Sequence, residues 1–374
     1  MKHRKYGGST AERTIACPAW HTESAGIPRA DSEYARVGTA LHAVMEDIQV
    51  NDLDDLDVVD VVYEGIEITR ELWNTKIEPA LVALDELVEH FGVEWFEPEV
   101  ECSYSTDVGG YSDMILRGGD TVIVLDWKFG DGYLVDPTRN PQGLFYGMAA
   151  RKESSAKDLF EGATRFCFAI IQPTERVENP LSFWECDISE LNKFEKQHKR
   201  AVKEAESAHP PIAAGPHCAF CPAAAVCPQK TGQALAALQM DPENLETLAE
   251  SMDLVGELKT WITAVERTMF EQLSAGCTIK GWKLVQKRAM AKWRDEDEVI
   301  KAFRRHLGGL KAMTKTTLLS PAQLAKLAKD QGKDLDFEDF IVRSSSGTTL
   351  APEDDKRDAV LSSEALSAAL ASIQ

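Results

Sequence analysis

Long apolar runs are missing from this 374-residue chain: no stretch of 18 residues is both apolar and free of charge. That excludes the ordinary transmembrane helix, which needs about 20 such residues to cross a bilayer. The basic opening, MKHRKYGGSTAERTIACPAW, is not followed by the apolar core of a secretory signal, so a soluble, cytoplasmic protein is expected. Positive charge is also scarce, with 41 Lys and Arg against 61 Asp and Glu and a net charge of -20. A surface that is basic throughout is therefore excluded. The deficit is concentrated, because residues 46–101 hold 18 acids against only Arg70 and Lys76, leaving about -4 for the other 318 residues. A local basic face remains available elsewhere. No internal repeat is found.

What is present is enough apolar content, 44%, to build a real core in one large domain or two ordinary ones. Eight cysteines in an unexported chain read as reduced thiols or metal ligands rather than a disulfide framework. Val37, Leu41, Val44, Met45 and Ile48 recur at helical spacing and predict a helix over 35–50. Residues 51–63 read as acidic and irregular, and 66–91 as one or two amphipathic helices. The period then changes, and VEWFEPEVECSYS, GYSDMILRG and TVIVLDWKF predict three strands, the last two joined by the Gly118-Gly119-Asp120 turn. A helix over 140–152, strands TRFCFAIIQ and LSFWECDI, and a charged helix over 188–207 follow. This order predicts a mixed α/β core with helices packed on a small sheet.

Residues 110–130 pose the chemical question. Asp126 and Lys128, two apart on a strand, point the same way, and hairpin pairing can bring Asp113 alongside. Two neighbouring carboxylates repel and raise one another's pKa unless a cation lies between them. A hard divalent ion such as Mg²⁺ resolves that conflict, and a lysine beside it can orient a water and offset phosphoryl charge. The same three residues also fit a half-exposed hairpin with no chemistry. The continuous apolar run TVIVL argues for a central, doubly covered strand that opens onto a cleft at DWKFG.

With these residues in place, the sequence resembles the RecB-like branch of the PD-(D/E)xK nuclease superfamily. GYSDMI is similar to its Gly-x-x-Asp strand and VLDWKFG to its Asp-x-Lys strand. GTALHAVME resembles the upstream helix with a metal-binding histidine, and QGLFY the later Gln-x-x-x-Tyr helix. The resemblance implies a restriction-endonuclease-like α/β core and a metal-dependent DNA exonuclease. It implies that Asp113, Asp126, His42 and the Trp127 carbonyl bind Mg²⁺ or Mn²⁺, that Lys128 positions the attacking water, and that Gln142 and Tyr146 orient the strand. Read without it, His42 fits a histidine packed beneath a helix, and Gln142 and Tyr146 fit helix packing. Glu46 shares the His42 face, and Glu99 and Glu101 are extra acids read as mostly solvated. The literal Pro-Asp of the superfamily name is absent.

HCAFCPAAAVCP gives Cys218-x2-Cys221-x5-Cys227, a spacing too compact for two clips and suited to one metal centre. Cys17 is the best candidate for the fourth ligand and His217 the second. This pattern resembles the iron-sulfur staple of RecB-like exonucleases such as the AddB nuclease domain and the CRISPR-associated Cas exonucleases, which implies a 4Fe-4S cluster; a tetrahedral Zn²⁺ would use the same ligands. The nuclease domain is expected over 1–230. A mostly helical region is expected over 231–374, with a basic strand-helix segment and a loosely held tail. In it, nine Lys and Arg face four acids between 279 and 305, so Lys283, Lys287, Arg288, Lys292 and Arg294 are candidates for phosphate contact. GWKLVQKRAMAKW and SPAQLAKLAK resemble the tail of a phage-associated family, which implies DNA recombination or end processing and a single-strand annealing protein as partner. Two rival readings remain: an inactive, metal-clipped DNA-binding scaffold and a structure-specific endonuclease.

Overall fold

The structure, a computed structural model, describes residues 4–27, 33–238, 245–287, 290–307, 309–314, 318–344 and 347–360. The chain forms two compact units, Met1–Val265 and Glu266–Gln374. Among the described residues no helix is long and apolar enough to cross a membrane.

The first unit is organised by one five-stranded sheet. Its strands, β1 (Val93–Ser103), β2 (Gly109–Gly118), β3 (Thr121–Trp127), β4 (Arg165–Ile171) and β5 (Leu181–Asp187), lie side by side in that order. Only β3 and β4 run parallel. A parallel pair needs a long crossover, and helix α4 (Pro141–Lys152) lies within it. Every residue of β3 is buried, as TVIVL predicts for a strand covered on both faces.

The two faces separate by residue parity. Val122, Val124, Phe166, Phe168 and Ile170 pack with Phe145, Met148 and Ala149 of α4 and Leu191 and Phe194 of α5 (Ser189–Ala205). Ile123, Leu125, Trp127, Cys167 and Ala169 pack on the other side. There they meet Leu41, Val44, Met45 and Ile48 of α2 (Glu33–Asn51) and Leu84 and Leu87 of α3 (Glu78–Phe91). The helical stripe read from 35–50 is thus the face that α2 buries. The shorter helix α1 (Ala11–Ala16) precedes it. The segment from 66 departs from the expected helix. Ile66–Glu67 pairs with Val62–Tyr63, because Glu64 and Gly65 take φ of 50° and 78° and close a tight hairpin before the chain turns helical at Arg70.

Helix α5 buries Leu191, Phe194, His198, Ala201 and Ala205, a stripe at helical spacing. His198 lies between the rings of Phe145 and Phe194, at centroid distances of 5.1 and 5.9 Å, and its Nε2 has no hydrogen-bond partner among the described residues. Burial pushes its pKa down to about 4. The unfolded chain therefore takes up a proton near pH 6.5 that the folded state refuses until about pH 4, and stability falls as pH falls through this window. At 1.36 kcal/mol per unit the loss is about 3 kcal/mol, so denaturant titrations of His198→Leu at pH 7 and pH 4.5 are expected to show a drop smaller than wild type by ~2 kcal/mol.

Beyond the sheet, α6 (Pro228–Leu238) and α7 (Leu245–Ser274) are tied by an ion pair between Lys230, which is fully buried, and Glu257. The first unit runs on to Val265 and so includes most of α7.

In the second unit β6 (Trp282–Gln286) pairs antiparallel with β9 (Thr348–Pro352), and β7 (Met290–Trp293) with β8 (Ile341–Ser344). Helices α8 (Glu296–Phe303) and α9 (Pro321–Asp330) contribute Val299, Phe303 and Leu324 to a core with Met313 and Phe337. The expected strand-helix segment is two strands followed by a helix, which starts where Asp295 accepts from the Glu298 amide. The tail expected to be loosely held begins in the Ser/Thr/Gly stretch, yet there Thr348–Pro352 is strand β9, held along its length by β6; the Ala/Ser-rich remainder, 361–374, lies outside the described residues.

Candidate active site

The candidate residues meet at the C-terminal end of β3, the middle strand. Alternation along β3 puts Asp126 on the face of Val122 and Val124, toward α4. The register Met114↔Leu125 continues one step to set Asp113 beside Asp126. Asp113 is fixed by its neighbours: Oδ2 accepts from the Trp127 amide at 2.7 Å, and Oδ1 lies 3.2 Å from His42 Nδ1. His42 reaches there from α2 with its ring edge-on to Phe129 at 5.5 Å.

On the other side α4 delivers Gln142. Asn140 caps the helix by accepting from the Gln142 amide at 2.9 Å, and Pro141 occupies the first turn. Gly143 and Gly147 then let the helix press onto β4: a Cβ at 143 would lie 2.1 Å from Phe168 Cγ, and one at 147 would lie 2.5 Å from the Phe166 ring. This close approach brings Gln142 Nε2 to within 2.6 Å of Asp126 Oδ1. Lys128 closes the network, with Nζ 2.5 Å from Asp126 Oδ2 and donating to Gln142 Oε1 at 3.3 Å. Tyr146, one turn on, is buried, and its ring occupies space that a side chain at Gly8 or Gly110 would need.

The electrostatics are those of two acids forced together. The Asp126 side chain is only 6% exposed. Burial raises its pKa, and the Asp113 charge adds to that against the pull of Lys128. Burial acts to raise Asp113 too, but His42, Lys128 and the Trp127 amide outweigh it and hold that carboxyl below the usual range. Burial acts to lower His42 and Lys128, yet the carboxylates they face leave both raised. Tyr146 is pushed well up by burial and then by the Asp126 and Asp113 charges, so it stays a neutral hydroxyl.

Glu99 departs from the reading of a solvated acid. It stands between the pairs Pro98↔Met114 and Val100↔Ser112, opposite Asp113, with a left-handed φ of 46°. Burial, then Asp113 and Glu46, push its carboxyl up to about 7. The alternating acids Glu97, Glu99 and Glu101 mark one face of β1, but only the strand register shows which of them meets Asp113. Glu101 is drawn outward by Arg4 at 2.9 Å and is half exposed.

Residues 3–358 match the family described as protein of unknown function (DUF2800). The chain belongs to this family. Among solved structures, the DUF2800 chain is similar to an alkaline exonuclease (LHK-Exo) from Laribacter hongkongensis, 11% identical, covering 52% of this chain and 90% of that one with a TM-score of 0.24. It is also similar to a phage related exonuclease from Haemophilus somnus 129PT, 10% identical, covering 55% and 94% with a TM-score of 0.27. With TM-scores this low, the chemistry of the DUF2800 chain has to be read from its own side chains.

Those side chains include the expected cysteines. Cys17, Cys218, Cys221 and Cys227 of the DUF2800 chain all line one small cavity, together with His217, Trp20 and Ala224. The Ala213 amide donates to Cys17 Sγ at 3.5 Å, and the His217 imidazole is raised by its contact with Cys17. Helix α7 backs this region, with Trp261 Nε1 donating to the Ala225 carbonyl at 3.2 Å. Among the described residues, no group of three or more His, Cys, Asp and Glu side chains is drawn together closely enough to hold a metal ion as it stands.

The basic candidates lie in the second unit. Lys283 is on β6 and donates to the Asp355 carbonyl at 2.9 Å; Lys287 and Arg294 are exposed; the Lys292 backbone pairs with Val342 on the other ribbon. Arg288 lies outside the described residues. The four described cations are carried by strands and the residues just after them rather than by one helix face.

Proposed function

We propose that this protein is a divalent-metal-dependent deoxyribonuclease that hydrolyses phosphodiester bonds at DNA ends. The observation that supports the reading best is the convergence of Asp113, Asp126, Lys128, Gln142 and His42 from two central strands and two helices. Two buried carboxylates in repulsion, one of them raised, form a donor set that a hard cation would relieve, so the residues fit Mg²⁺ or Mn²⁺. Asp113, Asp126, the Trp127 carbonyl and His42 would hold it, and when bound it would supply Lewis-acid activation of the scissile phosphate. Asp126 and Gln142 fix the Lys128 ammonium, which would orient a water toward phosphorus and offset the charge that develops there. Gln142 and Tyr146 Oη, kept protonated, would hold the strand by its oxygens.

The finer reading is an exonuclease of phage recombination or end processing, with a single-strand annealing protein taking up the strand it exposes. We further propose that Cys17, Cys218, Cys221 and Cys227 hold a 4Fe-4S cluster. Donors of the right kind surround one cavity, and such a clip would tie residues some 200 apart, worth ~4–5 kcal/mol by analogy with a long-loop cross-link.

One panel tests these assignments. End-labelled linear DNA and a closed circle are incubated with purified protein and Mg²⁺ or Mn²⁺, with EDTA as control, after the iron, sulfide and zinc content has been measured. Loss of the linear substrates with the circle intact is expected. Cutting of the circle would make it an endonuclease, and no cutting of any DNA by protein with its metal content intact would leave the binding scaffold. Stoichiometric zinc without iron would overturn the cluster.

A further inference from the structure

The irregular loop over 130–140 both leaves and re-enters the candidate site. It departs two residues after Lys128 and returns at Asn140, which caps the helix carrying Gln142. Its two ends are joined through the Lys128–Gln142 and Gln142–Asp126 hydrogen bonds. Such a segment would ordinarily be free to move, but this one is held near its base by three separate side chains.

Gln172 is buried at the end of β4 and donates through Nε2 to the Gly130 carbonyl at 2.7 Å and the Tyr133 carbonyl at 2.8 Å, while Oε1 accepts from the Val135 amide at 3.1 Å. Arg176 Nη1 donates to the Asp131 and Gly132 carbonyls, each at 3.0 Å. Lys76, in the π-helical turn Trp73–Ile77, pairs with Asp131 at 2.5 Å and donates to the Pro173 carbonyl at 2.9 Å. The backbone at Tyr133 is thus fixed from both sides, and Val135 is tucked against the core. Between these anchors Tyr133 and Leu134 face solvent, 67% and 40% exposed.

A lone exposed aromatic is commonplace. This one is different, because its loop is ordered by six hydrogen bonds or ion pairs and has its ends at the candidate phosphodiester site. Besides satisfying the buried Gln172 amide, these bonds present the Tyr133–Leu134 tip without a further ordering cost on binding. We infer that Tyr133 is a stacking platform for a nucleobase of the DNA strand whose backbone enters the Asp113–Asp126 site, with Leu134 widening its apolar face. The chemistry suits that occupant: an aromatic ring stacks on any base, so the contact would hold strands of any sequence. This inference rests on the nuclease reading and adds a substrate contact to it.

The test uses the full chain with a short single-stranded oligonucleotide bearing 2-aminopurine near one end, in EDTA so that binding is read without cleavage. Wild type is expected to quench the probe, because stacking on an aromatic ring quenches 2-aminopurine. Tyr133→Ala is expected to abolish the quench and to weaken binding about ten-fold, with Tyr133→Trp restoring both. In cleavage assays with Mg²⁺ the same series should move KM and leave kcat within ~2-fold, as befits a contact made alike in the ground and transition states. Tyr133→Ala that binds and quenches like wild type overturns the platform while leaving the nuclease reading untouched. Wild-type protein that neither binds nor cuts DNA overturns both. An unchanged melting temperature shows that the exposed substitution has not disturbed the fold.

Discussion

Asp126→Asn should lower the rate of DNA cleavage by more than ~100-fold, since residues that merely support metal ligands are worth ~10–100-fold. The substitution keeps an oxygen for Gln142 Nε2, whose 2.6 Å hydrogen bond positions α4 against the site, so the geometry should survive. Stability should fall only modestly, because relief from burial of the charge and from Asp113 repulsion offsets the ion pair that Lys128 loses. The pair of measurements, cleavage of end-labelled linear DNA and a thermal melt, separates a catalytic role from a structural one. A variant as active as wild type would remove Asp126 from the mechanism.

Gly143→Ala carries the largest expected cost to folding. A Cβ there would lie 2.1 Å from Phe168 Cγ, on a ring that is itself buried in the middle of β4. Overpacking of this kind costs ~1–3 kcal/mol and sometimes more, whereas the gain in helix propensity is only ~1 kcal/mol. A net loss of ~2 kcal/mol and a melting temperature lower by ~4–8 °C are expected. Phe168→Leu in the same chain should recover part of the loss, giving a favourable coupling in a double-mutant cycle. Gly256, in the interior of α7 with nothing within 4 Å of its would-be Cβ, is the control, and alanine there should stabilise by up to ~1 kcal/mol.

Much of this architecture was readable from the chain because the readable parts are local. The α2 stripe, the three strands from 93, the turn at 118–120 and the α4 start at Asn140-Pro141 depend on periodicity and caps within a few residues, and they stand where the pattern puts them. Asp126 and Lys128 share a face for the same reason. Placing Asp113 beside them required a hairpin register, which a short turn sets. Glu99 escaped because its position depends on the β1–β2 register across a longer connection and on a left-handed backbone that no glycine announces. The N-terminal segment escaped too: Tyr6 pairs in parallel with Val108, a bridge between residues a hundred apart that no local pattern encodes. The segment after 279 reads as one strand and a helix, and the second strand, Met290–Trp293, is missed because four residues are too few for periodicity to separate strand from helix.

The central position of β3 also sets the direction from which the site can be reached. β2 and β4 flank the strand on either edge, and helices lie over both of its faces. Among the described residues, the side that these elements leave uncovered lies along the strand axis, at the rim where β3 ends and the chain passes into the 130–140 loop. A DNA strand entering there would meet the carboxylates end-on. The residues along the rest of β3 would then be free to follow the needs of packing, while the identity of the substrate would be decided by the few residues that form that rim.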